Sequence, residues 1–264
     1  VSGYQTEDML NVPLRSRGET VGVLQLLNRV GGGRFGEDDV NRIQPLTPGL
    51  AEKVAEFVRY PANFEILGVM PQQDMKAATV MFCDLTRSSV LFQEMSASAA
   101  VQHINEYLER VCDIGFSHGA TIDKYIGDGV LLRFNVPRAL REHPLKAVTA
   151  ALAMRDTFDK LKTDWVTMGE PVGKVFLRIG LAYGLVHETV VGHPQHQSLT
   201  IFGQPINIAV NLCDAAVRDR STIVLDDRLY NEISTKVRAM ALPSNELGKA
   251  ARYIKTAYQL EQLA

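Results

Sequence analysis

Between residues 12 and 61 the spacing of apolar positions changes from strand-like to helical. Residues 12–15 and 20–27 read as strands joined through Arg17-Gly18-Glu19, which predicts a hairpin. A glycine loop follows, Gly31-Gly32-Gly33-Arg34-Phe35-Gly36. Next, Glu37-Asp38-Asp39 opens a helical pattern, where negative charge suits a helix N-terminus. Pro45 and Pro48 are expected to interrupt it. From Leu50 the pattern resumes through Val54, Phe57 and Val58 to Pro61, an amphipathic stretch suited to pairing with a partner helix. That stretch reads as a connector.

From Ala77 onward the periods alternate regularly. Residues 78–85 form a strand-like apolar run, and Val101, Ile104, Leu108, Val111 and Ile114 recur at helical spacing over 97–117. Strands at 121–126 and 130–135 flank Gly127-Asp128-Gly129, a strong hairpin turn. A helix over 144–162 and a strand over 174–182 complete βαββαβ, an α+β, ferredoxin-like core. Strands at 188–191 and 199–202, a helix at 206–217, a strand at 222–225 and a last hairpin follow. The expected organisation is a first segment at 1–48, a connecting helix and linker at 49–76, and a main domain at 77–264.

Composition narrows the function classes. With 46% hydrophobic residues, 28 basic against 30 acidic side chains and 264 residues in all, the chain can bury a sizeable core and carries no bulk charge to attract nucleic acid. The three cysteines, Cys83, Cys112 and Cys213, have no paired spacing, which points to a reducing, cytoplasmic setting. No apolar run approaches the ~20 residues of a membrane span, and no signal-peptide pattern precedes the first strand. The chain opens on Val1 without methionine, as a fragment would.

Two carboxylates carry the candidate chemistry. Asp84 ends the apolar run at 78–85, and Asp128 occupies the hairpin turn; the βαββαβ topology sets the end of its first strand beside that turn. A turn-capping role explains either aspartate alone. Together they fit Mg²⁺, which is usually held by one or two carboxylates plus substrate phosphates. Two such ions can activate an attacking oxygen and neutralise a leaving phosphate. The turn after Asp84 leads toward a helix start, whose N–H groups suit phosphate oxygens.

Several ordered motifs then resemble class III nucleotidyl cyclases. They are Phe82-Cys83-Asp84-Leu85, Lys124-Tyr125-Ile126-Gly127-Asp128, Phe134-Asn135-Val136-Pro137, His143-Pro144-Leu145-Lys146-Ala147, Arg178-Ile179-Gly180-Leu181-Ala182-Tyr183-Gly184, Val191-Gly192 and Phe202-Gly203-Gln204-Pro205-Ile206-Asn207. The resemblance runs from about Ala77 to Leu260. It implies that Asp84 and Asp128, helped by the Leu85 carbonyl, hold two Mg²⁺ or Mn²⁺ ions. It also implies that ATP is cyclised to cyclic AMP and pyrophosphate at sites shared by two subunits, so that a lone catalytic domain is inactive. Thr86, Arg87, Ser88 and Ser89 would form the phosphate loop. The segment 12–27 with Asn28, Phe35 and Asp39 resembles the C-terminal end of a GAF domain. That implies an upstream small-molecule sensor and a homodimer formed through the cyclase domain and the connecting helix.

Base choice follows from donors and acceptors. Lys offers only donors and Thr offers both, so Lys124 facing adenine N1 and Thr200 facing N6 favour adenine. Guanylyl cyclases resemble this segment but carry an acidic residue at the position of Lys124. Two departures stand out. The family pairs Asn with Arg four residues on, whereas this chain has Asn207 and Asn211. A neutral amide cannot give the bidentate charged fork of arginine. Arg218, seven positions further, is a possible substitute. Arg87 stands where the family often has glycine. Lys249 and Lys255 both compete for the role of the phosphate-contacting lysine in the last hairpin. Alternatives are a catalytically weak or inactive nucleotide-binding regulator, and a domain active only as a heterodimer.

Other polar residues read as structural. The glycine triplet lacks the Lys-Ser/Thr of a phosphate cradle and suits a surface loop. His187, His193 and His196 lack regular zinc spacing and are expected in a solvated loop. Trp165 and Phe158 are expected to pack.

Overall fold

The computed structural model describes residues 7–59, 75–193, 196–217 and 219–264, and the side chains of all these except 56–59 and 196–197. The chain divides into two units, 1–63 and 64–264.

In the first unit, β1 (Met9–Ser16) and β2 (Glu19–Leu27) pair antiparallel around Arg17-Gly18. Helix α1 (Glu37–Ile43) follows, then a 3-10 turn and α2 (Thr47–Arg59). Pro45 breaks the α-helical pattern as expected, at the 3-10 turn between α1 and α2, whereas Pro48 does not. Pro45 stands second in the 3-10 turn and Pro48 second in α2, where a missing N–H is tolerated because the first turn has no intrahelical partner for it. The path from Asn28 through Phe35 to Asp39 is tied by side chains. Asn28 Oδ1 accepts from Glu7 N–H at 2.7 Å, Asp8 Oδ2 from Phe35 N–H at 2.5 Å, and Asp39 Oδ2 from Gly36 N–H at 2.9 Å.

The second unit is built on an eight-stranded sheet ordered β4-β5-β3-β6-β8-β10-β9, with β7 paired to β6. Its first four strands and two helices are the expected βαββαβ unit: β3 (Met75–Leu85), α4 (Ala97–Ser117), β4 (Thr121–Ile126), β5 (Gly129–Phe134), α5 (His143–Thr167) and β6 (Leu177–His193), with a short α3 (Ser88–Glu94) after β3. Strand β6 begins at 177 rather than 174 and runs to 193, absorbing the separate strand expected at 188–191. It turns into β7 (His196–Phe202), so His187, His193 and His196 lie on paired strands rather than in a loop. Then come α6 (Gln204–Ala215), β8 (Thr222–Asp226), an unanticipated α7 (Asp227–Ile233), β9 (Val237–Leu242) and β10 (Ala257–Leu263). Two 3-10 turns connect β9 to β10.

Both faces of the sheet are covered, which is why β3 reads as an unbroken apolar run instead of alternating. Met81, Cys83 and Leu85 pack with Tyr107 and Val111 of α4 and with Met154 and Phe158 of α5. Ala78, Val80 and Phe82 pack the other way, with Ile208, Ala209 and Leu212 of α6. Helix α6 lies directly on β6 at Gly180, where an added Cβ would fall 2.0 Å from Ala209 O and 2.5 Å from Cys213 N. Trp165 and Phe158 pack in the core, and Trp165 Nε1 donates to Glu106 at 3.1 Å. No helix among the described residues is long and apolar enough to cross a membrane.

Candidate active site

Asp84 is the penultimate residue of β3, and β5 flanks that strand with Cys83 opposite Val130. The β4–β5 turn therefore sits against the strand end. Gly127 adopts φ +63°, which the tight turn needs and glycine allows at no steric cost. Gly129 permits the close approach: a Cβ there would meet Phe82 Cζ at 2.5 Å and the Cys83 carbonyl at 3.2 Å. The result is direct contact between turn and strand, Leu85 N–H donating to Asp128 Oδ2 at 3.3 Å. Burial first, and the Asp128 charge second, push the Asp84 carboxyl up to about 6, against the lowering effect of Arg178. Arg178, opposite Asp84 on β6, places Nη2 on Asp84 Oδ2, and its Nη1 lies 3.7 Å from Asp214 Oδ1 on α6.

The segment after Asp84 is arranged differently from a simple phosphate loop. Thr86 is buried; its N–H donates to the Phe176 carbonyl at 2.8 Å, and its hydroxyl oxygen accepts the Phe176 N–H at 2.9 Å. Thr86 thus clasps the segment that leads into β6, and both its N–H and its hydroxyl are engaged there rather than turned toward a phosphate. Arg87 and Ser89 are exposed and Ser88 half-buried. Arg87 takes φ +54°, the left-handed conformation that glycine adopts without cost, which is a physical reason for glycine at this position.

A second cluster forms where β4 meets the β6–β7 arm. The β4–β5 ladder skips a residue between Ile122 and Lys124, leaving Asp123 in a bulge that re-aims its side chain. Asp123 Oδ2 lies 3.3 Å from Lys124 Nζ and accepts the Thr200 hydroxyl at 2.7 Å. Its Oδ1 accepts Ile201 N–H at 3.1 Å and lies 3.6 Å from Arg133 Nε. Arg133 Nη1 in turn contacts Glu188 Oε1 at 2.6 Å. Lys124 and Thr200, 76 positions apart in the chain, are thus brought to one carboxylate oxygen.

On α6, Asn207 is exposed, and Asn211 turns its amide back along the helix, Nδ2 donating to the Asn207 carbonyl at 2.7 Å. Lys249, in a 3-10 turn, and Lys255 are both exposed, and neither is singled out. Arg218 lies outside the described residues. The sequence reading missed Asp123, Arg133, Arg178 and Glu188. A charge inside a strand buried on both faces must find a partner, and Arg133 within Val130-Leu131-Leu132-Arg133-Phe134 carries that signal. The partner's identity depends on the β6–β7 arm, which sequence spacing does not reveal.

Residues 70–235 match the family model of the adenylate and guanylate cyclase catalytic domain. The chain belongs to the class III nucleotidyl cyclase family. Among solved structures, the cyclase fold seen here resembles the adenylyl cyclase CyaB of P. aeruginosa, with 25% identity, a TM-score of 0.64, and coverage of 72% of this chain and 95% of that one. It also shares its fold with the guanylate cyclase domain of RhGC from Catenaria anguillulae, at 22% identity and a TM-score of 0.62, covering 72% and 98% of the two chains. In sequence, an uncharacterized Mycobacterium bovis protein is 29% identical over 61% of this chain and 28% of its own length. Adenylate cyclase 1 of Rhizobium meliloti is 26% identical over 56% of this chain and 22% of its own. The cyclase match thus spans about a quarter of these curated relatives.

Proposed function

We propose that this chain is an adenylyl cyclase catalytic domain that converts ATP to cyclic AMP and pyrophosphate at a site completed by a second copy of the domain. The observation that carries this reading is the docking of the Asp128 turn onto the end of β3, which sets two carboxylates together inside a cyclase fold. The donor set fits hard divalent cations. Asp84 meets both Arg178 and the Asp128 carboxyl, and Asp128 accepts from Leu85 N–H, so two carboxyl groups lie together at the strand end, where the Leu85 carbonyl would be the further oxygen ligand. Two Mg²⁺ or Mn²⁺ ions held there would supply charge neutralisation and activation of the ribose 3′-hydroxyl. That oxygen attacks the α-phosphorus as its proton passes to water; the new P–O bond closes the ring, and the bond to pyrophosphate breaks and the electron pair leaves with it.

The remaining roles belong to the protein. Lys124 donates to adenine N1, and Thr200 meets the N6 amino group. Asn207 orients the ribose. The exposed Arg87, Ser88 and Ser89, with Lys249 or Lys255, receive the phosphates. Similarity to CyaB and to adenylate cyclase 1 supports adenine as the base. In unit 1, the side-chain ties of Asn28, Phe35 and Asp39 support reading 1–48 as the end of a GAF sensor with a small-molecule ligand. Helix α2 then serves as the connector that pairs in a homodimer.

Asn211 supports a second reading, a weak or regulatory cyclase homologue, or one active only beside a partner that supplies an arginine. Its amide is uncharged and committed to the Asn207 carbonyl. A transition-state arginine is worth about 10³ to 10⁵ in rate, so the expected deficit is severe. The test is cyclic AMP formation by purified protein with ATP and Mn²⁺. Detectable product that disappears in Asp84→Ala and rises about 10³-fold in Asn211→Arg is expected. No product from either the native chain or Asn211→Arg, alone or mixed with a complementary cyclase domain that is inactive by itself, would sink the enzyme reading.

A further inference from the structure

Thr200 is the ambiguous member of the proposed base-reading pair, because a hydroxyl donates and accepts and so by itself serves adenine and guanine alike. The structure assigns its polarity: we propose that Asp123 is a positioning residue that turns Thr200 into an acceptor toward the base and thereby sets adenine over guanine. This rests on the adenylyl cyclase reading above.

The argument is one of hydrogen accounting. A carboxylate flanked by Lys124 and Arg133 only accepts. Thr200 has a single hydroxyl hydrogen, and it points at Asp123 Oδ2 across 2.7 Å. Only lone pairs remain on Oγ1. The N6 amino group of adenine donates to such an atom, whereas O6 of guanine would set lone pair against lone pair. The same Oδ2 lies 3.3 Å from Lys124 Nζ, whose donors suit the N1 acceptor of adenine and oppose the N1–H of guanine. One carboxylate oxygen therefore coordinates both halves of the discrimination.

Asp123 is fixed firmly enough to enforce this. It sits in a bulge, accepts Ile201 N–H at 3.1 Å, and adjoins the guanidinium of Arg133, which is fully buried and tied to Glu188. Thr200 is itself only 3% exposed, so its hydroxyl has little water to turn toward. A site whose buried polar groups match one substrate rejects the mismatched one strongly, because the mismatch leaves them unpaired.

The experiment measures binding of 3′-deoxy-ATP and 3′-deoxy-GTP, which lack the attacking hydroxyl and cannot cyclise, to the purified full chain with Mn²⁺. The native chain is expected to prefer the adenine nucleotide by about tenfold or more. Asp123→Asn, whose amide can donate as well as accept, is expected to lose most of that ratio. Thr200→Ser keeps it. Thr200→Val loses it while leaving Ile201 N–H on Asp123, and so decides the matter if Asp123→Asn fails to fold. A purely structural role for Asp123 would weaken both nucleotides alike and leave the ratio unchanged; that result, or an unchanged ratio in Thr200→Val, overturns the proposal. Absence of binding, or of preference, in the native chain overturns the adenylyl cyclase reading itself and is seen before any variant is made.

Discussion

Asp84 holds its proton up to about pH 6 because burial and the Asp128 charge both oppose ionisation. A divalent cation bound there must displace that proton, so affinity is expected to rise with pH to just above 6 and then level off. Mn²⁺ titrations by calorimetry at pH 5 and pH 8 check this; equal affinity at both would place the cation elsewhere. Asp226 carries a second, structural pH dependence. It caps α7, accepting Leu229 N–H at 2.9 Å and Tyr183 N–H at 3.2 Å, and burial raises its carboxyl to about 7 despite those bonds. A folded-state pKa raised above the unfolded value gives stability that is fully present below about pH 4 and lost as pH rises through about 7. Asp226→Asn keeps the acceptor and removes the charge. Between pH 5 and pH 8 it is expected to abolish a loss on the order of 2 kcal/mol, read as the shift in urea midpoint relative to the native chain. Asp84 and Asp128 were legible in the sequence because each marks a strand end or turn. Asp226 was not, because a carboxylate after an apolar strand looks the same whether it caps a helix in the core or faces water.

At the scale of elements, close backbone approach positions the groups. Helix α6 carries Asn207 and Asn211 and rests on β6 through Gly180, where both atoms nearest an added Cβ belong to the backbone. Neither can rotate away. Gly180→Ala is therefore expected to cost at least the 1–3 kcal/mol typical of an overpacked core, measured by denaturant unfolding, and to weaken nucleotide binding as α6 shifts. A change below ~0.5 kcal/mol would show that α6 yields easily. The βαββαβ core was legible because its helices and strands have distinct periods and its hairpin has a glycine turn. The long β6–β7 arm was not. Residues 183–193 mix apolar and polar positions because the arm leaves the covered sheet, so the run appeared to break where the strand continues. That arm brings Thr200 to Asp123, and the Asp123–Arg133–Glu188 cluster stayed hidden with it.

For the whole molecule, the arrangement of chemistry into two clusters yields the strongest test of a shared site. Asp84, Asp128 and Arg178 gather at the end of β3, whereas Lys124 and Thr200 converge on Asp123 beside the β6–β7 arm. If each active site takes its carboxylates from one copy and its base-reading cluster from the other, Asp84→Ala and Lys124→Ala are each inactive alone. Mixed in equal amounts and allowed to exchange, half of the dimers contain one of each. Such a dimer has one site bearing both substitutions and one bearing neither, so about a quarter of the native activity returns. Made in the Asn211→Arg background, the comparison has turnover to spare for detection. A site contained within one chain predicts no recovery at any mixing ratio, because every copy then carries a damaged site. Recovery that falls on dilution, as dimers dissociate, would further tie the restored activity to the second copy.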